Sequence, residues 1–146
     1  MKVSEQVVMV TGASSGLGAA TVRQFLEAGA KVIGVDLRPS VPGIAGDRVE
    51  SYLHQCGDVT DESVVQAMVD QSIARFGKLS VLVCCAGILH GERVWGRNGP
   101  ASLEAFRRVV DVNLVGTFNV VRLAIPAMAR RMDRDHQEDR GLVVLT

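Results

Sequence analysis

The chain has 146 residues, of which 47% are hydrophobic and 4% aromatic, and its 16 basic residues balance 16 acidic ones. This balance leaves no excess of positive charge that would attract nucleic acid or an anionic membrane, so we expect neither as a partner. The first apolar run, Val7 to Val10, is too short for a signal sequence or a membrane span. Three cysteines, an odd number without zinc spacing, indicate a reducing compartment and no metal site. We therefore expect a soluble cytoplasmic protein with one domain over residues 1–146.

Short aliphatic runs alternate with longer amphipathic segments, a pattern typical of βαβ units and a parallel sheet. Right-handed crossovers between the five predicted strands give the order 3-2-1-4-5, with the ligand-binding switch point between the first and fourth strands. We therefore predict a doubly wound α/β Rossmann fold with three layers, α/β/α. The predicted strands are 6–11, 31–36, 50–56, 79–84 and 141–146, and the predicted helices are 16–28, 61–76 and 102–131.

Capping residues mark the predicted helix ends. Asp61 and Ser102 are expected to cap the amino ends of the second and third helices, and Gly77 is expected to end the second in a left-handed conformation. The third helix should turn one apolar face to the sheet. That predicted face consists of Leu103, Phe106, Val110, Asn113, Leu114 and Thr117.

Two irregular segments and the last strand complete the prediction. The glycine-containing segment 88–101 is expected to be a long binding loop, and the charged segment 130–140 a solvated helix end and loop. The fifth strand ends at Thr146 and leaves an apolar edge without a covering helix, so we expect a domain truncated after this strand.

A glycine-rich turn follows the first predicted strand directly and opens the first helix. Gly12 would permit the tight turn, Gly16 would let the backbone approach a pyrophosphate, and Gly18 would allow close packing of the helix. Backbone N–H groups and the helix dipole at this place favour a bound anion. The predicted pyrophosphate contacts are Gly12, Ser14, Ser15, Gly16, Leu17 and Gly18.

The same turn also matches Gly-x-Ser-x-Gly, the nucleophile elbow of α/β-hydrolases, through Ser14. A hydrolase would need His54, His90 or His136 as its base, and none of these ends a late strand. A nucleophile elbow also follows several strands rather than the first, so the phosphate loop is the favoured interpretation.

Asp36 ends the second predicted strand 18 residues beyond Gly18, near the spacing of the acid that binds the adenosine ribose in dinucleotide folds. A carboxylate there repels a 2′-phosphate, which favours NAD over NADP. Arg38 leaves an alternative open, because a guanidinium two residues on would either meet such a phosphate or be a solvated loop residue.

Three further motifs, with this loop, make the sequence resemble the short-chain dehydrogenase/reductase family from about Val7 to Thr146. Asp58-Val59 follows the third strand, where the family binds adenine, and Cys84-Cys85-Ala86-Gly87 stands where the family has Asn-Asn-Ala-Gly. Asn113, inside Asp-Val-Asn-Leu-Val-Gly-Thr-Phe, matches the family's helix asparagine. The resemblance implies that Asp58, Val59, Cys85, Ala86 and Gly87 bind the cofactor and that Asn113 positions a helix kink and a proton-relay water.

Plainer interpretations stand beside these roles. Asp58 would serve equally as a loop acid before the second helix, and Asn113 as a locally bonded helix residue. The adjacent cysteines are expected to be small buried thiols. His90 is expected to face solvent rather than substrate, and Trp95 either lines a substrate pocket or anchors its loop.

Within the family, residues 111–123 and Cys85 are similar to the branch of type 2 3-hydroxyacyl-CoA dehydrogenases, from which Cys84 departs by replacing an asparagine. The resemblance implies an NAD-dependent oxidoreductase that interconverts a secondary alcohol and a ketone, with a 3-hydroxyacyl-CoA as one candidate small-molecule substrate. It also implies a homotetramer built partly through the third helix. The family's serine, tyrosine and lysine follow the fifth strand, and these 146 residues contain no Tyr-x-x-x-Lys. The alternative is therefore a non-catalytic dinucleotide-binding module.

Overall fold

The computed structural model of the protein describes residues 2–39, 46–97, 99–129 and 141–146. Five parallel strands form the main sheet in the order β3-β2-β1-β4-β7, so the predicted order and the predicted doubly wound class are confirmed. These strands are β1 (Val7–Thr11), β2 (Lys31–Asp36), β3 (Tyr52–Cys56), β4 (Val81–Cys84) and β7 (Leu142–Leu145).

A small hairpin lies within the segment predicted as an irregular loop. Its two short antiparallel strands are β5 (Trp95–Gly96) and β6 (Gly99–Pro100). The predicted third strand also begins later than expected, because a 3₁₀ turn, Gly46–Ser51, precedes it. A second 3₁₀ turn, Val3–Glu5, precedes β1.

The helices follow the predicted places, but the third is not one continuous α-helix. It consists of α3 (Leu103–Val110), a π-helical segment (Asp111–Gly116) and α4 (Thr117–Ala129). The first two helices are α1 (Gly16–Glu27) and α2 (Glu62–Phe76). The expected end of the third helix and the charged segment 130–140 lie outside the described residues.

The predicted caps are confirmed. The Asp61 side chain accepts hydrogen bonds from the backbone N–H groups of Ser63 and Val64, and Ser102 Oγ accepts one from Ala105 N–H at 3.2 Å. Gly77 ends α2 with a φ of +77°, which favours glycine because it carries no Cβ.

Both faces of the sheet are covered at β1, β2 and β4, which accounts for their apolar residues, whereas every residue of β7 is exposed. On one face Val22 and Leu26 of α1 pack on Val8 and Val32. On the other face α2 and α4 pack through residues such as Met68 and Val120 against Met9 and Ile33. The structure is therefore the predicted three-layer α/β/α sandwich, and its carboxyl-end edge brings together the ends of β1, β2 and β4.

The predicted inward face of the third helix is wrong. Leu103, Phe106 and Leu114 are 59%, 65% and 65% exposed. The buried residues instead form a row at four-residue spacing, in which Gly116 approaches Val59 in the turn before α2 and the others belong to the core cluster on the sheet: Val120, Ala124 and Met128. Hydrophobic spacing alone could not separate the two faces, because both are apolar.

The helical stretch Leu103–Ala129 is long enough to span a bilayer, and an 18-residue window within it has a mean hydropathy of 1.4, apolar enough by composition. Core helices of ordinary domains meet the same criterion. Val120 and Ala124 are 1% and 0% exposed against the sheet, so one face of this stretch belongs to the core of the sandwich, although only 28% of the apolar window is buried.

Candidate functional site

The loop between β1 and α1 presses against the end of β4. Gly12 has a φ of +67°, and a Cβ added to it would lie 2.6 Å from the Cys85 carbonyl oxygen and 2.8 Å from the Ala86 nitrogen. A Cβ at Gly18 would collide with the carbonyl group of Gly12. Both positions therefore require glycine, because only a residue without a side chain allows these backbone segments to touch.

The amino end of α1 presents backbone donors to the same edge. The Ala19 N–H donates to the Ser15 carbonyl at 3.0 Å, so the N–H groups of Gly16, Leu17 and Gly18 precede the intrahelical ladder. Gly16 has a φ of +52°, and a Cβ there would have open space around it. N–H groups at a helix amino end, together with the helix dipole, are the arrangement with which proteins bind anions.

Asp36 at the end of β2 contacts the phosphate loop directly. Its Oδ2 accepts a hydrogen bond from the Ser14 backbone N–H at 3.0 Å, and its Oδ1 accepts one from the Arg38 N–H at 2.9 Å. A carboxylate has about four acceptor positions, so both oxygens can still accept bonds from ribose hydroxyls. The predicted ribose acid therefore lies beside the predicted pyrophosphate loop.

Arg38 is more than a solvated loop residue, although its side chain is 66% exposed. Its Nη2 donates to Ser15 Oγ at 2.6 Å, and its Nε lies 3.6 Å from Asp36 Oδ1. Its carbonyl oxygen accepts a bond from Ser14 Oγ at 3.2 Å. The structure thus joins the guanidinium, the acid and both loop serines in one cluster.

The hydrolase alternative finds no support in the part of the chain that the structure describes. Ser14 bonds to a backbone carbonyl rather than to an imidazole. His54 contacts Tyr52, and His90 lies 3.4 Å from Glu92. His136 is outside the described residues.

Hydrogen bonds made by side chains hold the turn that follows β3. Asp58 Oδ1 accepts bonds from the N–H and Oγ1 of Thr60 at 2.9 and 2.8 Å, so Asp58 shapes the turn before α2 whatever else it binds. Val59 is buried, and its carbonyl accepts a 2.9 Å bond from Asn119 Nδ2. A Cβ at Gly116 would lie 2.7 Å from Val59, so helix and turn are in close contact.

The segment after β4 is held through its backbone. Cys85 N–H donates to the Thr11 carbonyl at 3.2 Å, and Ala86 N–H donates to Thr11 Oγ1 at 3.1 Å. Cys84 is buried, and this burial, with a smaller contribution from Cys85, raises the pKa of its thiol to about 11. All three cysteines are free, and the prediction of small structural thiols fits Cys84.

Asn113 lies in the π-helical segment and bonds to a distant backbone group. Its Oδ1 accepts from the Ile88 N–H at 2.8 Å, and its Nδ2 donates to the Ile88 carbonyl at 2.9 Å. A Cβ at Gly87 would lie 3.3 Å from Asn113 Oδ1. The local hydrogen bonding considered for this residue is therefore wrong, and Asn113 sets the position of the chain that follows the Ala-Gly motif.

The loop that continues from Ile88 borders a cavity of about 410 Å³. His90 is half exposed beside Glu92, whose carboxylate also accepts the Ser102 N–H at 2.9 Å. The bond from Ser102, followed by that from His90, lowers the pKa of Glu92. Trp95 is 74% exposed and so does not anchor this loop in the core. The cavity is lined by Ile88, Leu89, His90, Ser102, Glu104, Ala105, Arg108 and Val109.

Four residues that hold this region were missed by sequence reasoning. Tyr52 and His54 alternate along β3 and therefore share one face, a signal that the sequence did contain. Asn119 lies three residues after Gly116 on the buried side of the helix. Thr11, the last residue of β1, gave no signal that separated it from an ordinary strand residue.

The comparisons with known proteins agree with this geometry. The sequence model described as short chain dehydrogenase matches residues 6–145. The 3-hydroxyacyl-CoA dehydrogenase type-2 of Drosophila melanogaster is 38% identical over 99% of this chain and 57% of its own length. That of Bos taurus is 35% identical over 96% of this chain and 54% of its own length.

Two solved structures are similar to the fold. The ligand-free aldohexose dehydrogenase of Thermoplasma acidophilum has a TM-score of 0.74 at 38% identity, covering 88% of this chain and 46% of its own. A short chain dehydrogenase of Leptospira borgpetersenii with bound NAD+ has a TM-score of 0.78 at 22% identity, covering 96% and 50%, and shows the fold alone. The chain thus spans about half the length of the relatives that it matches.

Proposed function

Because this chain belongs to the short-chain dehydrogenase family, we propose that residues 1–146 form the NAD-binding domain of an oxidoreductase that interconverts a secondary alcohol and a ketone. The proposal is supported by the 3.0 Å bond from Ser14 N–H to Asp36, because it joins the loop proposed to bind the diphosphate to the acid proposed to bind the ribose. An adenosine diphosphate moiety needs these two recognition groups side by side.

The residues present fit the cofactor. The close approaches at Gly12 and Gly18 hold the amino end of α1 near the end of β4, where the amides of Gly16 and Leu17 would hold a diphosphate. Asp36 would accept the ribose hydroxyls. The remaining contacts are proposed at the ends of β3 and β4, from Asp58, Val59, Cys85, Ala86 and Gly87. Bound NAD supplies the hydride acceptor, and Asn113 positions the loop beside the cavity where a substrate would enter.

The preference for NAD over NADP is tested by titrating NADH and NADPH into the chain and following nicotinamide fluorescence. A carboxylate and a phosphate charge about 4 Å apart interact by at most about 4 kcal/mol at an effective dielectric constant of about 20. We expect Asp36→Asn to reduce the NADH preference by at most about thirtyfold, because shielding of half of that repulsion by Arg38 leaves roughly 2 kcal/mol. The control Asp70→Asn removes the same charge from the outer surface of α2 and should leave the ratio unchanged. Equal affinities for both nucleotides in the unchanged chain would refute the assignment of Asp36.

A 3-hydroxyacyl-CoA is the proposed substrate, because the relatives with this name include one at 38% identity. An aldohexose dehydrogenase reaches the same identity, so identity alone does not select the acyl-CoA. The test is NAD reduction by the full-length protein with a short-chain 3-hydroxyacyl-CoA, with an aldohexose as the comparison. NADH binding without turnover of either would favour the alternative of a non-catalytic dinucleotide-binding module.

We also propose that a second copy of the chain covers the exposed apolar face of the third helix, as the first step of a tetramer. The face includes Phe106 and Phe118, which are 65% and 64% exposed on the side away from the sheet. Sedimentation should show an oligomer that Phe106→Ser with Phe118→Ser dissociates, whereas Ile73→Ser on α2 should not. A monomeric unchanged chain would refute the second copy, and flotation with lipid vesicles would assign the face to a membrane instead.

A cytoplasmic location is proposed from the three free thiols, which persist in a reducing compartment. Imaging of the full-length protein with a carboxyl-terminal fluorescent tag tests this location. Signal confined to a secretory organelle would contradict it.

A further inference from the structure

A chain of hydrogen bonds joins the turn after β2 to the edge strand β3. The Tyr52 hydroxyl lies 3.0 Å from His54 Nδ1, and His54 Nε2 lies 2.9 Å from the carbonyl oxygen of Arg38. Tyr52 also packs beside Gly34 and Ala13, under the phosphate loop. The turn that carries Arg38 is therefore bonded to the strand beyond it in the sheet.

The hydrogen-bond partners of His54 determine which of its ring nitrogens carries a hydrogen. A carbonyl oxygen only accepts hydrogen bonds, so His54 Nε2 must carry a hydrogen and donate a hydrogen bond to the carbonyl oxygen of Arg38. Burial, and secondarily the charge of Asp36, raises the pKa of the Tyr52 phenol, so the hydroxyl keeps its proton and donates to Nδ1. Tyr52 thus selects the one neutral tautomer of His54 that can hold the Arg38 carbonyl.

The held residue carries its guanidinium into the proposed ribose site. Arg38 Nη2 bonds to Ser15 Oγ at 2.6 Å, and Nε lies 3.6 Å from Asp36 Oδ1. Exposed ion pairs of this kind hold a long side chain weakly, because its rotamer entropy opposes a single geometry. The bond from His54 to the Arg38 carbonyl fixes the backbone of Arg38, so only its side chain is free to move. This keeps the guanidinium beside Asp36.

We infer that His54, oriented by Tyr52, is a positioning residue that tunes the selectivity between NAD and NADP by holding Arg38 beside Asp36. The guanidinium there offsets part of the repulsion between Asp36 and a 2′-phosphate, so NADPH is disfavoured less than the acid alone would dictate. The inference rests on the proposed function, because it concerns the same ribose site.

The test measures NADH and NADPH affinities of the chain with and without the bond to Arg38. His54→Leu removes the donor, and we expect NADPH affinity to fall about fivefold, the equivalent of one net hydrogen bond, while NADH affinity changes less than about twofold. His54→Gln can place an amide donor near the position of Nε2 and should restore the ratio. Tyr52→Phe keeps the ring and loses the hydroxyl, so it should shift the ratio in the same direction by a smaller factor.

A double-mutant cycle separates positioning from general destabilisation. In an Arg38→Ala background the carbonyl remains but the guanidinium is gone, so His54→Leu should not change the NADH to NADPH ratio further. An equal shift in both backgrounds, or an equal loss of both affinities, would overturn the inference. Binding of both nucleotides with an unchanged ratio in His54→Leu would refute this inference alone, whereas a chain that binds neither nucleotide refutes the proposed function and the inference together.

The nitrogen-15 shifts of the His54 ring provide a readout that needs no nucleotide. In the chain at neutral pH we expect the Nε2–H tautomer, with Nδ1 unprotonated, and we expect Tyr52→Phe to mix the two tautomers. A dominant Nδ1–H tautomer in the unchanged chain would overturn the inference, because Nε2 could then not donate to the Arg38 carbonyl.

Discussion

Replacing Gly12 with alanine tests the contact on which the whole site depends. The φ of +67° at this residue costs an alanine about 1–2 kcal/mol, because its Cβ approaches the following carbonyl group. The added carbon would also lie 2.6 Å from the Cys85 oxygen and 2.8 Å from the Ala86 nitrogen, and relief of such overpacking costs roughly 1–3 kcal/mol. We therefore expect Gly12→Ala to lower the free energy of unfolding by about 2–5 kcal/mol and to weaken NADH binding.

Gly77→Ala is the matched control for this substitution. Gly77 has a φ of +77° at the end of α2, and a Cβ there would contact nothing within 4 Å. The control should therefore show the conformational cost of about 1–2 kcal/mol without the clash and without a change in NADH affinity. Urea unfolding followed by circular dichroism gives the stability of each variant, and fluorescence titration gives its NADH affinity. If Gly12→Ala lost no more stability than Gly77→Ala and bound NADH normally, the close packing of the two loops would not be a requirement of the site.

Three further predictions concern charge, reactivity and the π-helical segment. The hydrogen bond from the Ser63 hydroxyl, followed by those from the Val64 and Ser63 N–H groups, lowers the pKa of Asp61 below its usual 3.8, so its contribution to stability is present at neutral pH and is lost as the pH falls through the lowered pKa. Asp61→Ala should therefore be more destabilising in urea unfolding at pH 7 than in acid, and a pH-independent difference would contradict this. A thiol reagent at neutral pH should label exposed Cys56 quickly and buried Cys84, with its pKa of about 11, only on unfolding; equal rates would contradict the burial. Asn113→Ala removes both bonds to Ile88, so hydrogen exchange at the Ile88 amide should speed up at least tenfold, and unchanged protection would mean that other contacts hold this loop.

The strands and helix ends could be predicted from the sequence because each depends on local chemistry. The apolar run from Val7 to Val10 can only be a buried strand at that length, and Asp61 and Gly77 carry their capping preferences in their own side chains. The face of the third helix could not be predicted in the same way. Which of two apolar faces is buried depends on contacts between residues that are distant in the chain, such as that of Gly116 with Val59.

The candidate site likewise contains residues that could be predicted from the sequence and residues that could not. Positions where a motif requires a backbone conformation, such as Gly12, were found because only one residue type meets the requirement. The contacts of Arg38, Tyr52 and His54 were not predicted, because they depend on which strands are neighbours and on which side each side chain points. Sequence order predicts which strands are neighbours only after a sheet topology is assumed. It predicts on which side a side chain points only relative to the other residues of the same strand.

The cysteine that stands in place of an asparagine at the end of β4 illustrates how backbone contacts preserve such a site. The end of β4 is joined to β1 by the N–H groups of Cys85 and Ala86, which bond to the carbonyl and the hydroxyl of Thr11. Neither bond uses the side chain of Cys84 or Cys85, so exchanging these side chains leaves the separation of the two strand ends unchanged. Cys84 is buried with a neutral thiol, and a small apolar residue meets the packing requirement there at little cost. A departure from the family motif at this position therefore changes the hydrogen bonds that a side chain can offer, while the edge of the sheet on which a dinucleotide would rest keeps its shape.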